Sequence, residues 1–80
     1  MYRITRKVEK KIVSNHYLFL QLKSGNDFRI DVISSQGILV RSIMTNMREL
    51  WIDLCDCAKG KYALNIWNGG VLEENSFHLD

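Results

Sequence analysis

The segment Trp51–Ile66, WIDLCDCAKGKYALNI, constrains the fold more than any other part of the chain. It holds two short runs of alternating side chains, separated by a polar corner that closes at Gly60. Ile52 and Leu54 share one parity, as do Tyr62, Leu64 and Ile66, whereas Asp53, Ala63 and Asn65 fall on the other. Side chains on a strand point alternately to opposite faces, so the two runs are expected to be strands covering one core. Gly60 stands where the chain turns into the second run, a place where positive φ costs glycine little.

The same alternation, cut by turns, extends along the rest of the chain. Tyr2–Val8 reads as a first strand, with Tyr2, Ile4 and Val8 on one parity and Arg6 interrupting the stripe; Ser14-Asn15 is a polar break. His16–Leu22 reads as a second strand that turns Leu18, Leu20 and Leu22 one way and Tyr17, Phe19 and Gln21 the other. Ser24-Gly25-Asn26-Asp27 is a turn, after which Phe28, Ile30 and Val32 alternate with Arg29 and Asp31. A hairpin-length loop, Ser34-Ser35-Gln36-Gly37, leads into Ile38–Met44, and Arg48–Leu54 follows Thr45-Asn46. Asn68-Gly69-Gly70 predicts a tight type I′ hairpin before a last strand, Val71–Leu79.

That makes seven short strands, spaced roughly 8–12 residues apart. No run sustains a helical i, i+3, i+4, i+7 stripe; Ser42–Leu54 imitates one briefly, but Trp51–Leu54 alternates. So many antiparallel strands in 80 residues predict a two-sheet sandwich, because one open sheet would leave an apolar face bare. A single domain over residues 1–80 is expected, with no linker or low-complexity segment.

The totals narrow the function classes. A chain of this size buries roughly 60–65% of the surface its unfolded form exposes, which leaves little room for a deep cleft. A net charge of +2 does not argue for nucleic acid. Arg3, Arg6, Lys7, Lys10 and Lys11 place five of the eleven basic residues in the first eleven positions. Without interleaved aromatics, this cluster reads as a lysine-protected sheet edge in preference to a phosphate-binding arm. No stretch approaches the ~18–20 apolar residues of a membrane span. Tyr17–Leu22 is too short, and the charged start runs into it without a cleavage signal.

Cys55 and Cys57 stand one residue apart, near the limit of what a disulfide spans on one strand. With only His16 and His78 as further soft ligands, at no ligand-like spacing, no metal site and no cofactor are expected. Cys57 is expected to fill an apolar slot and Cys55 to be exposed. Neither histidine has a nucleophile or carboxylate motif around it, Asp53 and Asp56 read as turn-capping residues, and Glu73-Glu74 reads as a solvated patch. The chain is therefore not expected to be an enzyme.

The residues Phe28–Val40 with Gly37, then Ile52-Asp53-Leu54, Cys57, Gly60-Lys61-Tyr62, Leu64 and Ile66, form a longer pattern. It resembles the v-x-I-x-d-x-x-G-x-x-V … i-D-L-s-x-L-x-x-G-x-Y-x-l-x-I pattern of small immunoglobulin-like domains exported by Bacteroidetes-type bacteria. The resemblance runs from about Leu18 to Leu79 and includes a closing Phe77-His78-Leu79 strand. One group that shares it is a stand-alone family of secreted or periplasmic proteins of unknown function, the other the C-terminal sorting domain of type IX secretion. The chain departs from the sorting domain in lacking an Asn-Pro near the start and a basic tail. Cys57 stands where the family carries Leu. The resemblance implies an all-β, immunoglobulin-like sandwich and secretion or a periplasmic location, with any export signal already removed.

An immunoglobulin-type sandwich pairs its second and fifth strands, which sets Tyr17 and Phe19 beside Trp51 on one outer face. Exposed aromatics grouped in this way stack on sugar rings or anchor a protein partner. Trp67 is expected on the opposite sheet. The expected function is a non-enzymatic exported binding or protein-interaction module. The alternatives are a carbohydrate-binding module using Tyr17, Phe19 and Trp51, or a sorting domain. A protein or a glycan is the expected partner, with weak self-association also admitted.

Overall fold

A computed structural model describes residues 8–23 and 27–80. The described chain is all-β: seven strands form two antiparallel sheets packed face to face as a small sandwich. In chain order the strands are β1 (Val8–Ser14), β2 (Tyr17–Leu22), β3 (Phe28–Ser34), β4 (Leu39–Thr45), β5 (Glu49–Asp53), β6 (Gly60–Asn68) and β7 (Val71–Leu79). One sheet has the order β1-β2-β5 and the other β4-β3-β6-β7. The second and fifth strands pair as expected, and the fourth joins the sheet of the third, sixth and seventh.

The parities read from the sequence decide which face is inside. Leu18, Leu20 and Leu22 from β2, Ile52 from β5 and Leu54 just beyond it face Phe28, Ile30, Val32, Tyr62, Leu64 and Ile66 across the core. All are buried, and Phe77 and Leu79 of β7 complete the layer. A fully buried aliphatic or aromatic side chain contributes roughly 1.5–3 kcal/mol, and this apolar layer between the sheets is where the stability of so small a fold resides.

Two expected turns differ in detail. The expected strand Tyr2–Val8 lies outside the described residues except for Val8, and the strand paired with β2 is Val8–Ser14. The cause is local: Asn15 and His16 both take positive φ, at 51° and 65°, which is the signature of a type I′ hairpin and brings Ser14 opposite Tyr17. His16 is therefore a turn residue and not the first residue of β2. At the other hairpin the register closes at Asn68 and Val71, so the loop is Gly69-Gly70. Only Gly69 of that pair is left-handed, at 63°, the pattern of a type II′ turn in place of the expected type I′. Of the expected turn Ser24-Gly25-Asn26-Asp27, all but Asp27 lies outside the described residues.

The corner between β5 and β6 carries a feature of immunoglobulin-like sandwiches. The Tyr62 hydroxyl donates to the Ala58 carbonyl at 2.6 Å while its ring stacks on Phe77, with centroids 5.5 Å apart. A tyrosine at the start of the sixth strand, bonded back to the corner backbone, is the tyrosine corner of that architecture. Gly60 reaches φ 143° as the chain enters the strand, which explains glycine there.

Candidate functional site

The outer face of the β1-β2-β5 sheet is set by exclusion: with the leucines of β2 turned inward, Tyr17, Phe19 and Gln21 must point out. Register then aligns a row across three strands, Ile12 opposite Phe19 and Phe19 opposite Trp51. The Phe19 and Trp51 rings lie 4.9 Å apart at 48°, and Tyr17 meets Trp51 edge-on at 6.5 Å and 80°. Phe19 is half-buried beneath this arrangement, whereas Trp51 remains 62% exposed and Tyr17 38%. Tyr17, Phe19 and Trp51 are thus brought together, and Trp67 is on the other sheet, where the Arg29 guanidinium lies 5.3 Å from its ring centre.

Polar rows flank the apolar one. Lys10, Gln21 and Glu49 are in register on one side, and Ser14, Tyr17 and Asp53 on the other. Asp53 accepts from the Cys55 backbone N–H at 2.9 Å, which holds the turn out of β5. Hydrogen bonds from Cys55 keep the Asp53 carboxyl below the ordinary aspartate value. That carboxylate in turn pushes the Tyr17 phenol and the Cys55 thiol up, so both stay protonated at neutral pH.

The rim of Trp51 opens into a groove of about 370 Å³ between β4 and β5, lined by Arg41, Ile43, Trp51, Asp53, Cys55 and Asp56 among others. Its floor is the seam between the sheets. Arg41 spans this seam from β4, donating to the Asp53 carbonyl through Nε at 3.2 Å and Nη2 at 3.0 Å, and to the Asp56 carboxylate. Both cysteines are free thiols: Cys55 is exposed, and Cys57 is partly buried against the core. Burial is the main cause that raises the Cys57 thiol. Among the described residues, no group of three or more His, Cys, Asp or Glu is placed to hold a metal ion, and no helix is long and apolar enough to cross a membrane.

Sequence reasoning missed Ile12, because the first strand was expected to end at Val8. The segment Lys10-Lys11-Ile12-Val13-Ser14 does not alternate, so parity gave no signal for it. The Arg41 bridge had no local signal at all, since its partners lie 12 and 15 residues away.

The described surface thus offers one aromatic row with a protruding indole, a polar rim and an adjacent groove. Such a surface supplies contact area and a rigid anchor for association. The chain matches no protein-family model and no curated protein sequence.

Proposed function

We propose that this domain is a non-enzymatic interaction module that binds a protein partner through the Ile12–Phe19–Trp51 row. The observation that supports the reading is the exposed indole of Trp51, propped on Phe19 and buttressed by the edge of Tyr17. A large aromatic held rigid before binding loses little conformational entropy on binding, and such residues dominate interface energetics. The polar rows with Lys10 and Glu49 would form the rim that excludes water from this anchor. A sugar platform asks for exposed rings that lie flat, whereas here the ring planes diverge by 48° and 80°. That divergence favours a protein partner over a glycan. The resemblance to exported immunoglobulin-like domains supports a secreted or periplasmic location for the module and its partner.

Tryptophan fluorescence separates the two readings. Under the protein reading, a panel of oligosaccharides produces no saturable shift in emission. A protein from the exterior of the source cell binds wild type and binds Trp51→Ala at least about thirtyfold more weakly, with circular dichroism unchanged. A saturable shift with one sugar that vanishes in Trp51→Phe would overturn it in favour of the carbohydrate reading. Equal partner binding by Trp51→Ala would remove the aromatic row from the interface.

A further inference from the structure

The hairpin between β6 and β7 turns on Gly69-Gly70, and the residue before them is Asn68. An Asn-Gly dipeptide therefore stands at the tip, where both glycines are exposed. The Asn68–Val71 pair is the last of the ladder, and beyond it the Gly69 N–H serves no backbone hydrogen bond among the described residues. The Asn68 carboxamide has no hydrogen bond among them either. Nothing crowds the tip: adjoining residues apart, no heavy atom lies within 4 Å of where a β-carbon would stand on Gly69 or Gly70.

An asparagine side chain is of the right length to close a five-membered ring with the nitrogen of the next residue. Glycine resists that closure least, having no β-carbon and a free φ. The other described asparagines are placed differently. Asn15, Asn46, Asn65 and Asn75 precede His16, Met47, Ile66 and Ser76, whose side chains screen the nitrogen that would attack. The Met47 N–H is also bonded to the Thr45 hydroxyl at 3.0 Å. Asn65 and Asn75 lie inside β6 and β7, and the Asn75 amide donates to Glu73 at 2.8 Å.

We propose that Asn68 is a site of spontaneous covalent modification, converted through a cyclic imide to aspartate and isoaspartate. The Gly69 nitrogen gives its proton to solvent base and attacks Cγ of Asn68. The N–Cγ bond forms, the Cγ–Nδ2 bond breaks, and the amide nitrogen leaves as ammonia with a proton from solvent. Water then opens the ring: at Cγ it restores the peptide bond and leaves aspartate, and at the main-chain carbonyl it leaves isoaspartate. No oxidant or enzyme is needed. Only the terminal Asn68–Val71 pair has to open for the ring to close, and ladder ends open at small cost. Aspartate adds one negative charge to a chain of net charge +2. Isoaspartate also inserts the β-carbon into the main chain, at the pair from which the two-residue turn is closed.

Incubation of the folded chain at physiological temperature tests the proposal, beside a blocked Ile66–Val71 peptide as the unstructured reference. Over the period in which the peptide converts completely, the chain is expected to gain about 1 Da and to elute earlier from a cation exchanger, at the position of Asn68→Asp. Trypsin releases Tyr62–Asp80, and fragmentation of that peptide is expected to place the gain at Asn68, with aspartate and isoaspartate both present. Conversion is expected to be at least about tenfold faster at about pH 9 than at about pH 6, because the attacking nitrogen must lose its proton. Asn68→Ser, which leaves the glycines in place, is expected to keep its mass. A chain that gains no mass while the peptide converts overturns the proposal, since the hairpin would then hold Asn68 away from the ring geometry. So does a gain that persists in Asn68→Ser, or aspartate formed with no isoaspartate, which is direct hydrolysis without the ring.

Discussion

Arg41 on β4 donates its guanidinium to the carboxylate of Asp56, which lies past the end of β5 in the other sheet. The same fork bonds the Asp53 carbonyl, and its Nη1 donates to the Val40 carbonyl at 2.8 Å. One side chain therefore closes the seam between an edge strand of each sheet. On the opposite seam, the Lys11 ammonium donates to the Ser76 carbonyl and ties β1 to β7.

A planar fork with several donors cannot be reproduced by an ammonium. Arg41→Lys is expected to lose nearly as much stability as Arg41→Ala, roughly 1–2 kcal/mol, because one ammonium cannot serve the Asp53 carbonyl, the Val40 carbonyl and the Asp56 carboxylate at once. Urea unfolding monitored by circular dichroism checks this. If Arg41→Lys retains wild-type stability, the fork geometry is not what closes the seam.

Acid should loosen the same seam. The hydrogen bond from Arg41 is the main cause that holds the Asp56 carboxyl below the ordinary value of 3.8. A group whose folded pKa is depressed stabilises the fold above its unfolded value and loses that contribution as pH falls through the folded one. The melting-midpoint gap between wild type and Asp56→Asn is therefore expected to hold steady from about pH 7 to about pH 5 and to close below that. Asp56 is exposed, so the gap is small and shrinks further in high salt. A gap that widens on acidification carries the wrong sign for this pair.

Tyr62→Phe isolates the corner hydrogen bond, because the stacking on Phe77 survives the change. The expected loss is about 1 kcal/mol, seen as a midpoint lower by about 4–8 °C. An unchanged midpoint would mean that the Ala58 carbonyl is equally well satisfied by water.

His16→Gly is expected to stabilise the protein. A left-handed backbone costs an L-residue roughly 1–2 kcal/mol, against roughly 0.5–1 kcal/mol for the extra chain entropy of glycine. His16 sits at φ 65°, and its Nδ1 is buried with no hydrogen-bond partner. The change also gives the turn an Asn-Gly dipeptide, the preferred type I′ pair, so a gain of about 0.5–1 kcal/mol in thermal unfolding is expected. A loss would show that the imidazole packs to more effect than the turn is strained.

The inward face of every core strand was legible because strand parity is a local property. Leu18, Leu20 and Leu22 share a side whatever the partner strand, and slipping the register by one residue would expose all three. The aromatic row was legible for the same reason, once the second strand was paired with the fifth. Ile12 was not, because a lysine-rich edge strand has one solvated face and no apolar stripe to announce it.

By itself, then, the sequence determined the all-β class, the alternation and the composition of the core, since these follow from side-chain period and burial. Only the tertiary structure decided that Asn15-His16 and Gly69-Gly70 form the loops, that β4 is an edge strand, and that Arg41 reaches Asp53 and Asp56. Those features depend on which residues meet across the sheets, and a contact between Arg41 and Asp56 leaves no period in the chain between them.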